Sequence, residues 1–200
     1  MVNTYPGAKI VPAHPTKYRV MSPKRQTYDS IIIHVTDGHE DPMRTARMFA
    51  TPYAPPPASG QPDKRPDDAK RRSSAHFVVG RLSEEAEPVI QSVDIGDVAY
   101  HAHSANERSV GIEHCCRTPG EFGPRDAGLA PTEAQYEKSA KLAAWLCRAA
   151  GLSVDRKTIR GHAEADPLTT HTSCPDGPGW NWNTYMTLVQ AAYDRLAAVK

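Results

Sequence analysis

One apolar segment constrains the fold of this chain more than any other part of the sequence. Residues 28–35, YDSIIIHV, contain a continuous β-branched run that ends near His34. Such a run is typical of a strand that is buried on both faces of a sheet, because neither face needs polar side chains. The sequence therefore predicts a sheet covered on both sides, with a histidine at the end of one buried strand.

Helical and extended patterns alternate along the rest of the chain. Thr132, with Gln135 three residues later, forms a capping box at the start of a helix that Gly151 ends. The alternation predicts an α/β fold with a central mixed β-sheet flanked by helices. The further predicted strands lie within residues 74–82, 88–103, 109–116 and 158–160, and the predicted helices cover 42–50, 132–150 and a final amphipathic segment from Tyr185 to Leu196.

Two segments stand outside this pattern. Residues 1–27 are predicted to be an N-terminal extension, and residues 51–73 a Pro-rich loop insertion without periodicity. The chain has 200 residues, of which 39% are hydrophobic, so it is long enough to bury a core without disulfides. We therefore expect a single domain over residues 1–200.

Charge and hydropathy exclude two classes of partner. Lys and Arg number 24 against 23 Asp and Glu, so the net charge is near zero and nothing in the composition suggests nucleic-acid binding. No apolar run approaches the roughly 18 residues of a membrane span. The N-terminal MVNTYPGAKIVPAH lacks the basic-then-apolar order of a secretory signal. The sequence predicts no membrane insertion, no nucleic-acid partner and no signal peptide, with synthesis in the cytoplasm.

Two histidines lie where strands are predicted to end, and a cysteine follows the second of them in a Pro/Gly-rich segment. His34 closes the first strand, His162 follows Gly161 after the strand at 158–160, and Cys174 comes twelve residues later. Catalytic zinc needs three protein ligands and a fourth position open to water. These three side chains meet that count, and they predict a zinc site at one edge of the sheet. From spacing alone the site is only suggested, since His34 equally fits a hydrogen-bonded core histidine.

Glu113 is an acidic residue within the otherwise apolar strand at 109–116. A carboxylate beside a metal site can take a proton from water and pass it to a departing amine. Bound zinc acidifies water and polarises a carbonyl, so no protein nucleophile is required. The alternative is a glutamate on a solvent-facing strand position.

Five motifs in order make the chain resemble the type-2 N-acetylmuramoyl-L-alanine amidases, a superfamily shared with the peptidoglycan-recognition proteins and the phage lysozyme-like amidases. The resemblance runs from the first strand to the last helix, residues 28–196. It implies zinc-dependent hydrolysis of the amide bond between N-acetylmuramic acid and L-alanine in bacterial peptidoglycan. The motifs are IIIHVT at 31–36, SAHFVV at 74–79, AYHA at 99–102, N-x-x-SVGIE at 106–113, and GHAE at 161–164 with CP at 174–175.

The resemblance implies a role for each of the residues that the spacing had suggested. The family's zinc ligands fall on His34, His162 and Cys174, and its acidic catalytic residue falls on Glu113. The interval between the second and third ligands is longer than usual by a few residues. Asp176 therefore stays open as a competing oxygen ligand, although the thiolate of a Cys-Pro pair suits zinc better.

Further residues are expected around the groove. Many family members place a lysine two residues before the third ligand to stabilise the oxyanion, whereas this chain has Thr172 there, as in the peptidoglycan-recognition branch. A hydroxyl carries no charge, so part of that role could pass to zinc or to His171. Tyr100, His101 and Asn106 are expected, with His171, to bind substrate.

Three functions remain open at this point. The expected enzyme cuts peptidoglycan as a phage lysin, as a secreted toxin with an immunity protein as its partner, or as a recycling amidase. The same fold also serves as a non-catalytic muropeptide receptor, which would lack a zinc ligand. A cysteine peptidase that uses Cys174 and a histidine is the third possibility. The insertion at 51–73 is expected to form a lip that selects a stem peptide, or else to be a solvated loop.

Overall fold

Eight strands, five α-helices and two 3-10 helices make up the computed structural model, which describes residues 3–36, 40–116, 130–175 and 180–198. The strands are β1 Lys9–Ile10, β2 Tyr18–Arg19, β3 Ser30–Val35, β4 Phe77–Val79, β5 Ile90–Gln91, β6 Val98–Ala99, β7 Ser109–His114 and β8 Ile159–Gly161. The helices are α1 Pro42–Ala50, α2 Asp67–Lys70, α3 Glu133–Ala150, α4 His162–Ala165 and α5 Trp182–Ala198.

A six-stranded mixed sheet in the order β1-β5-β4-β7-β3-β8 carries the fold. The pair β4 and β5 is antiparallel, and the other neighbours in this sheet are parallel. Strand β3, which contains the β-branched run, lies between β7 and β8, and Ile31, Ile32 and Ile33 are fully buried. The predicted mixed sheet is confirmed, and so is the double burial of its isoleucine-rich strand.

Helices cover both faces of the sheet. On one face, α3 and α5 pack on each other and on the sheet, where Leu142 and Val189 join Ile31 and Ile33 in the larger core cluster. On the other face, α1 packs against β4 and β5 and contributes Phe49 to a smaller cluster. This two-sided cover explains why β3 contains no exposed apolar position.

Helix α3 begins and ends at the residues that its caps predict. The Thr132 hydroxyl accepts a hydrogen bond from the Gln135 N–H, and Gly151 ends the helix with a positive φ of 67°. The reciprocal half of the capping box is missing, because the Gln135 side chain donates to the carbonyl of Val79 in β4 instead. That bond ties the start of the helix to the sheet.

The insertion at 51–73 contains more structure than its composition indicates. It includes α2, and Ala69 in that helix is buried and accepts a backbone hydrogen bond from Ala54. The buried ammonium of Lys17 donates to the carbonyls of Met48 and Asp68, which fixes the insertion against the end of α1. The expectation of an irregular segment was therefore wrong for residues 67–70.

A second short helix also departs from expectation. The predicted helices include none directly after β8, yet α4 begins at His162 itself, and the Gly161 N–H donates to the carboxylate of Glu164. Among the residues that the structure describes, no helix combines the length and apolar content needed to cross a membrane.

Candidate functional site

The three predicted metal ligands meet at the carboxyl ends of adjacent strands. His34 lies near the end of β3, His162 follows β8 directly, and Cys174 comes from the turn after α4. One ligand atom from each lies within 4.8 Å of the other two, and all three residues are buried. The fold thus brings two imidazoles and a thiol, far apart in the chain, to one edge of the sheet.

Close backbone packing holds the second and third of these residues together. The Ala163 N–H donates to the carbonyl of Cys174 over 2.9 Å, and the Val35 N–H donates to its Sγ over 3.4 Å. A Cβ added to Gly161 would lie 2.7 Å from Cδ of Pro175. A glycine is required here because the Cys-Pro turn packs directly on the backbone before His162.

The histidines of this cluster are held in the neutral form that metal binding requires. Burial lowers the pKa of His34 well below its ordinary value, and the neighbouring His101 and His162 lower it further. Burial also lowers the pKa of His162, although the nearby Asp166 opposes the shift. Neutral imidazoles with one thiol, beside a cavity, fit the three-ligand set of a catalytic zinc ion.

Glu113 lies opposite His34 in the register of β7 and β3. Its side chain lines the same cavity as His34 and Cys174, and its Oε2 is buried without a hydrogen-bond partner. Burial raises the pKa of Glu113 to about 7, and Arg71 opposes that shift. Buried carboxylates are normally paired, so an unpaired one beside a candidate metal site is suited to carry protons.

A two-part groove leads to these residues. The outer part has a volume of about 450 Å³ and the inner part about 180 Å³, and His101, His162 and His171 line both. The outer part is also lined by Arg72, Ser73, Tyr100, Ala102, His103 and Asn106. The four residues predicted to bind substrate therefore all lie along the outer groove.

Two of these four residues, His101 and Asn106, also make contacts inside the site. His101 Nδ1 lies 3.0 Å from Nε2 of His34, and its ring covers Gly111, where a Cβ would approach it to 2.7 Å. The side-chain oxygen of Asn106 accepts hydrogen bonds from the backbone N–H groups of His101 and Ala102. His101 is thus both a groove residue and a neighbour of a candidate ligand.

Thr172 and His171 differ in their access to the groove. Thr172 is exposed in the turn that precedes Cys174 and lines neither part. His171 lines both parts, and its ring centroid lies 5.8 Å from that of His162.

Sequence reasoning missed three residues at the site. Asp166 is fully buried, and its Oδ2 lies 3.3 Å from Nε2 of His162 and 2.5 Å from Nδ1 of His103. Its spacing of four residues from His162, at which side chains of a helix are neighbours, was the available signal. Arg72, from the insertion, lies over the ring of Tyr100 at 5.1 Å.

Two histidines without an assigned role are structural. His76 is fully buried, accepts from the Gly111 N–H at Nδ1, and contacts the Arg25 guanidinium at Nε2. His114 is buried on the opposite face of the sheet, and both of its ring nitrogens have hydrogen-bond partners. His39 and Asp176, the alternative oxygen ligand, lie outside the described residues.

Comparison with known proteins gives the following matches. A family model described as N-acetylmuramoyl-L-alanine amidase matches residues 24–177. A selenomethionine derivative of AmpD superposes with a TM-score of 0.65 at 21% identity, over 94% of this chain and 97% of AmpD. PlyL superposes at 0.58 with 12% identity, over 91% and 96% of the two chains.

A third structure contains a bound substrate. The amidase AmiD from E. coli, in complex with anhydro-N-acetylmuramic acid-L-Ala-D-γ-Glu-L-Lys, superposes with a TM-score of 0.57 at 16% identity, over 85% of this chain and 60% of AmiD. At these identities the likeness to solved structures establishes the fold. No curated protein sequence matches the chain significantly.

Proposed function

Because this chain belongs to the N-acetylmuramoyl-L-alanine amidase family, we propose that it hydrolyses the amide bond between N-acetylmuramic acid and L-alanine of peptidoglycan in a zinc-dependent reaction. The observation that carries this proposal is the cluster of His34, His162 and Cys174 within 4.8 Å, beside the unpartnered carboxylate of Glu113. A site with the three ligands but without Glu113 could bind the metal, yet it would lack the group that moves protons.

The three buried side chains would hold the ion. Zinc bound there would polarise the scissile carbonyl and acidify an attacking water molecule. Two neutral imidazoles and one thiolate leave a fourth position open, which is the arrangement of catalytic rather than structural zinc sites.

Glu113 would act as general base and then as general acid. Its carboxylate takes a proton from the water whose oxygen bonds to the lactyl carbonyl carbon. The same proton then goes to the nitrogen of L-alanine as the C–N bond breaks. Burial raises the pKa of Glu113 to about 7 in the metal-free site, where the carboxyl group therefore gives up and accepts a proton at similar cost at neutral pH.

Two residues beside the ligands are candidates to stabilise the oxyanion. Thr172 matches the place where many family members have a lysine, and His171 lines both parts of the groove. We favour His171, because an oxyanion donor must reach the cavity in which the carbonyl lies. Comparing kcat for Thr172→Val and His171→Ala tests the choice. A larger loss for the threonine variant would reverse it.

The outer groove would bind the sugar and the stem peptide. The substrate that AmiD binds carries free carboxylates along its peptide. In this chain Arg72 brings a guanidinium to the groove wall, beside Tyr100, His101 and Asn106. We propose that the 51–73 insertion supplies a cationic lip for stem-peptide carboxylates.

The receptor alternative is disfavoured by the ligand set. A non-catalytic member of the fold loses a metal ligand, whereas here each of the three positions has a side chain able to bind zinc. The cysteine-peptidase alternative would instead need Cys174 as a nucleophile in a metal-free site.

Digestion of defined muropeptides, followed by mass spectrometry, tests the proposal. We expect a free peptide that begins with L-alanine and a muramic acid with an intact lactyl carboxylate. A chelator should abolish both products and added zinc should restore them. Cleavage at another bond, or full activity after chelation, would refute the proposal. Muropeptide binding by the zinc-loaded protein without any product would instead support the receptor.

A thiol-blocking reagent separates the two hydrolase mechanisms. Applied to zinc-loaded protein, it should leave activity intact, because the metal protects the Cys174 thiolate. A protein that is active without zinc and inactivated by the reagent would be a cysteine peptidase.

A further inference from the structure

Asp166 is a buried carboxylate that the proposed reaction does not use. It follows α4, four residues after His162, and is fully buried. Its Oδ1 accepts from the Leu168 N–H over 3.1 Å, while its Oδ2 faces Nε2 of His162 at 3.3 Å and Nδ1 of His103 at 2.5 Å. A buried charge of this kind is retained only where hydrogen bonds satisfy it.

The chemistry of the two partners fixes where the proton of His162 lies. An ionised carboxylate only accepts hydrogen bonds, and a neutral imidazole has one N–H and one lone pair. With Oδ2 against Nε2, the proton is on Nε2 and the lone pair is on Nδ1. The hydrogen bond at one ring nitrogen thus selects the nitrogen that is free to bind a metal.

We propose that Asp166 is a positioning residue of the metal centre, which holds His162 in the Nε2–H tautomer and in the ring orientation that offers Nδ1 to zinc. The inference rests on the proposed zinc site. It adds a residue that does not contact the ion, and it makes a claim about the protein before any metal is bound.

His103 completes the arrangement from the groove side. It begins the 3-10 helix at residues 103–108 with a positive φ of 41°, an uncommon conformation for a residue with a side chain. Its side chain is 62% exposed and lines the outer groove, yet its Nδ1 reaches the buried Oδ2 of Asp166. His103 therefore supplies the second hydrogen bond that keeps this carboxylate oriented toward His162.

The substitution Asp166→Asn tests the tautomer directly. The amide oxygen of asparagine keeps the Leu168 N–H as its partner, so its NH2 group faces His162. Because an NH2 group only donates hydrogen bonds, Nε2 of His162 must then accept, and its proton moves to Nδ1. The variant keeps the size of the side chain while blocking the nitrogen that would bind zinc.

Two measurements report the outcome. Long-range ¹H–¹⁵N NMR of the zinc-free protein should show the Nε2–H tautomer of His162 in the wild type and the Nδ1–H tautomer in Asp166→Asn. Competition with a chromogenic chelator should show zinc affinity lowered about 10- to 100-fold in the variant, the usual effect of losing such a partner. An unchanged tautomer or an unchanged zinc affinity would overturn the inference.

Glu164→Gln is the matched control. It removes one negative charge from α4, two residues before Asp166, and Glu164 binds Arg156 and the Gly161 N–H rather than the ring of His162. Its zinc affinity should equal that of the wild type. A loss as large as that of Asp166→Asn would assign the effect to net charge and overturn the inference.

A second variant covers the case in which Asp166→Asn does not fold. His103→Phe changes a largely exposed side chain and removes the hydrogen bond to Oδ2 of Asp166. Zinc affinity should fall in the same direction by a smaller factor, and an unchanged affinity would count against the inference. If the wild type itself binds no zinc, the proposed function fails; if it binds zinc as tightly as Asp166→Asn does, only this inference fails.

Discussion

Two neighbouring residues of β7 lie on opposite faces of the sheet and differ in whether their side chains have hydrogen-bond partners. Glu113 faces the inner groove with a buried Oε2 that has no partner. His114 faces α3 and α5, where Nδ1 contacts the carbonyl of His34 over 2.9 Å and Nε2 contacts the Ser139 hydroxyl over 2.7 Å. The paired group stabilises the fold, whereas the unpaired group costs stability and is available for chemistry.

The same contrast extends to the residues around each of them. On the side of the sheet covered by α3 and α5, the back face, Ser139 also contacts the hydroxyl of Tyr185. The ring of Trp180 lies 4.8 Å from that of His114 there. On the groove side of the sheet, the front face, the three candidate ligands line the same cavity as Glu113. The contrast predicts that the two faces respond differently to substitution.

The largest effect is expected for Glu113→Gln on the front face. Because glutamine cannot transfer the proton, kcat should fall about 100- to 10,000-fold. Zinc content should not change, and the free energy of unfolding should stay equal or rise, since a neutral amide costs less to bury. Steady-state kinetics with metal analysis checks this prediction. A variant with full activity would remove Glu113 from the mechanism.

Gly161→Ala should lower zinc affinity on the front face without changing any of the side chains that would bind the ion. The added Cβ would collide with Pro175. Overpacking costs about 1–3 kcal/mol, and a cost of that size in the zinc-bound geometry would lower zinc affinity about 5- to 150-fold. Chelator competition measures it. Gly151→Ala is the control, because its positive φ makes the substitution strained while nothing lies within 4 Å. Zinc affinity should fall only in the first variant.

Ser139→Ala tests the back face. The substitution leaves His114 Nε2 and the Tyr185 hydroxyl without their shared partner, so the free energy of unfolding should fall by about 1–3 kcal/mol. Urea denaturation measures the loss, with Thr187→Ala, an exposed position in α5, as the control. We expect an unchanged kcat. A fall in kcat would show that the two faces are coupled through the carbonyl of His34.

The smallest effect is expected at the rim of the front face. Arg72→Ala should raise KM for an anionic muropeptide about 2- to 5-fold, since an exposed ion pair contributes at most about 1 kcal/mol. The value of kcat should not change, and added salt should reduce the difference. Arg195→Ala, on the distant α5, provides the control. An equal KM in both variants would leave the insertion without a role in substrate binding.

Local patterns were sufficient for the longer elements. Helix α1 has the predicted bounds, and α3 lies between the predicted caps, because caps and apolar periodicity are encoded within one segment. Both α-helices that the patterns missed, α2 and α4, have only four residues. A helix of about one turn is too short to show periodicity, and contacts with the rest of the fold decide whether it forms.

The candidate site was likewise predicted only in part from local patterns. The residue types and their order along the chain were enough to select His34, His162, Cys174 and Glu113 as candidates. Asp166 escaped notice although it lies close to His162 in sequence. A carboxylate at that spacing is common on exposed helices, and only its burial against His103 distinguishes it.

The sequence by itself determined the α/β class, the strand that is buried on both faces and the chemical groups available at its end. Only the tertiary structure decided which of those groups face the groove, which are paired, and that an insertion brings Arg72 to the groove wall. The physical reason is that a side chain's type is a local property. Its hydrogen-bond partners and burial depend on strand register and on turns that join residues far apart in the chain.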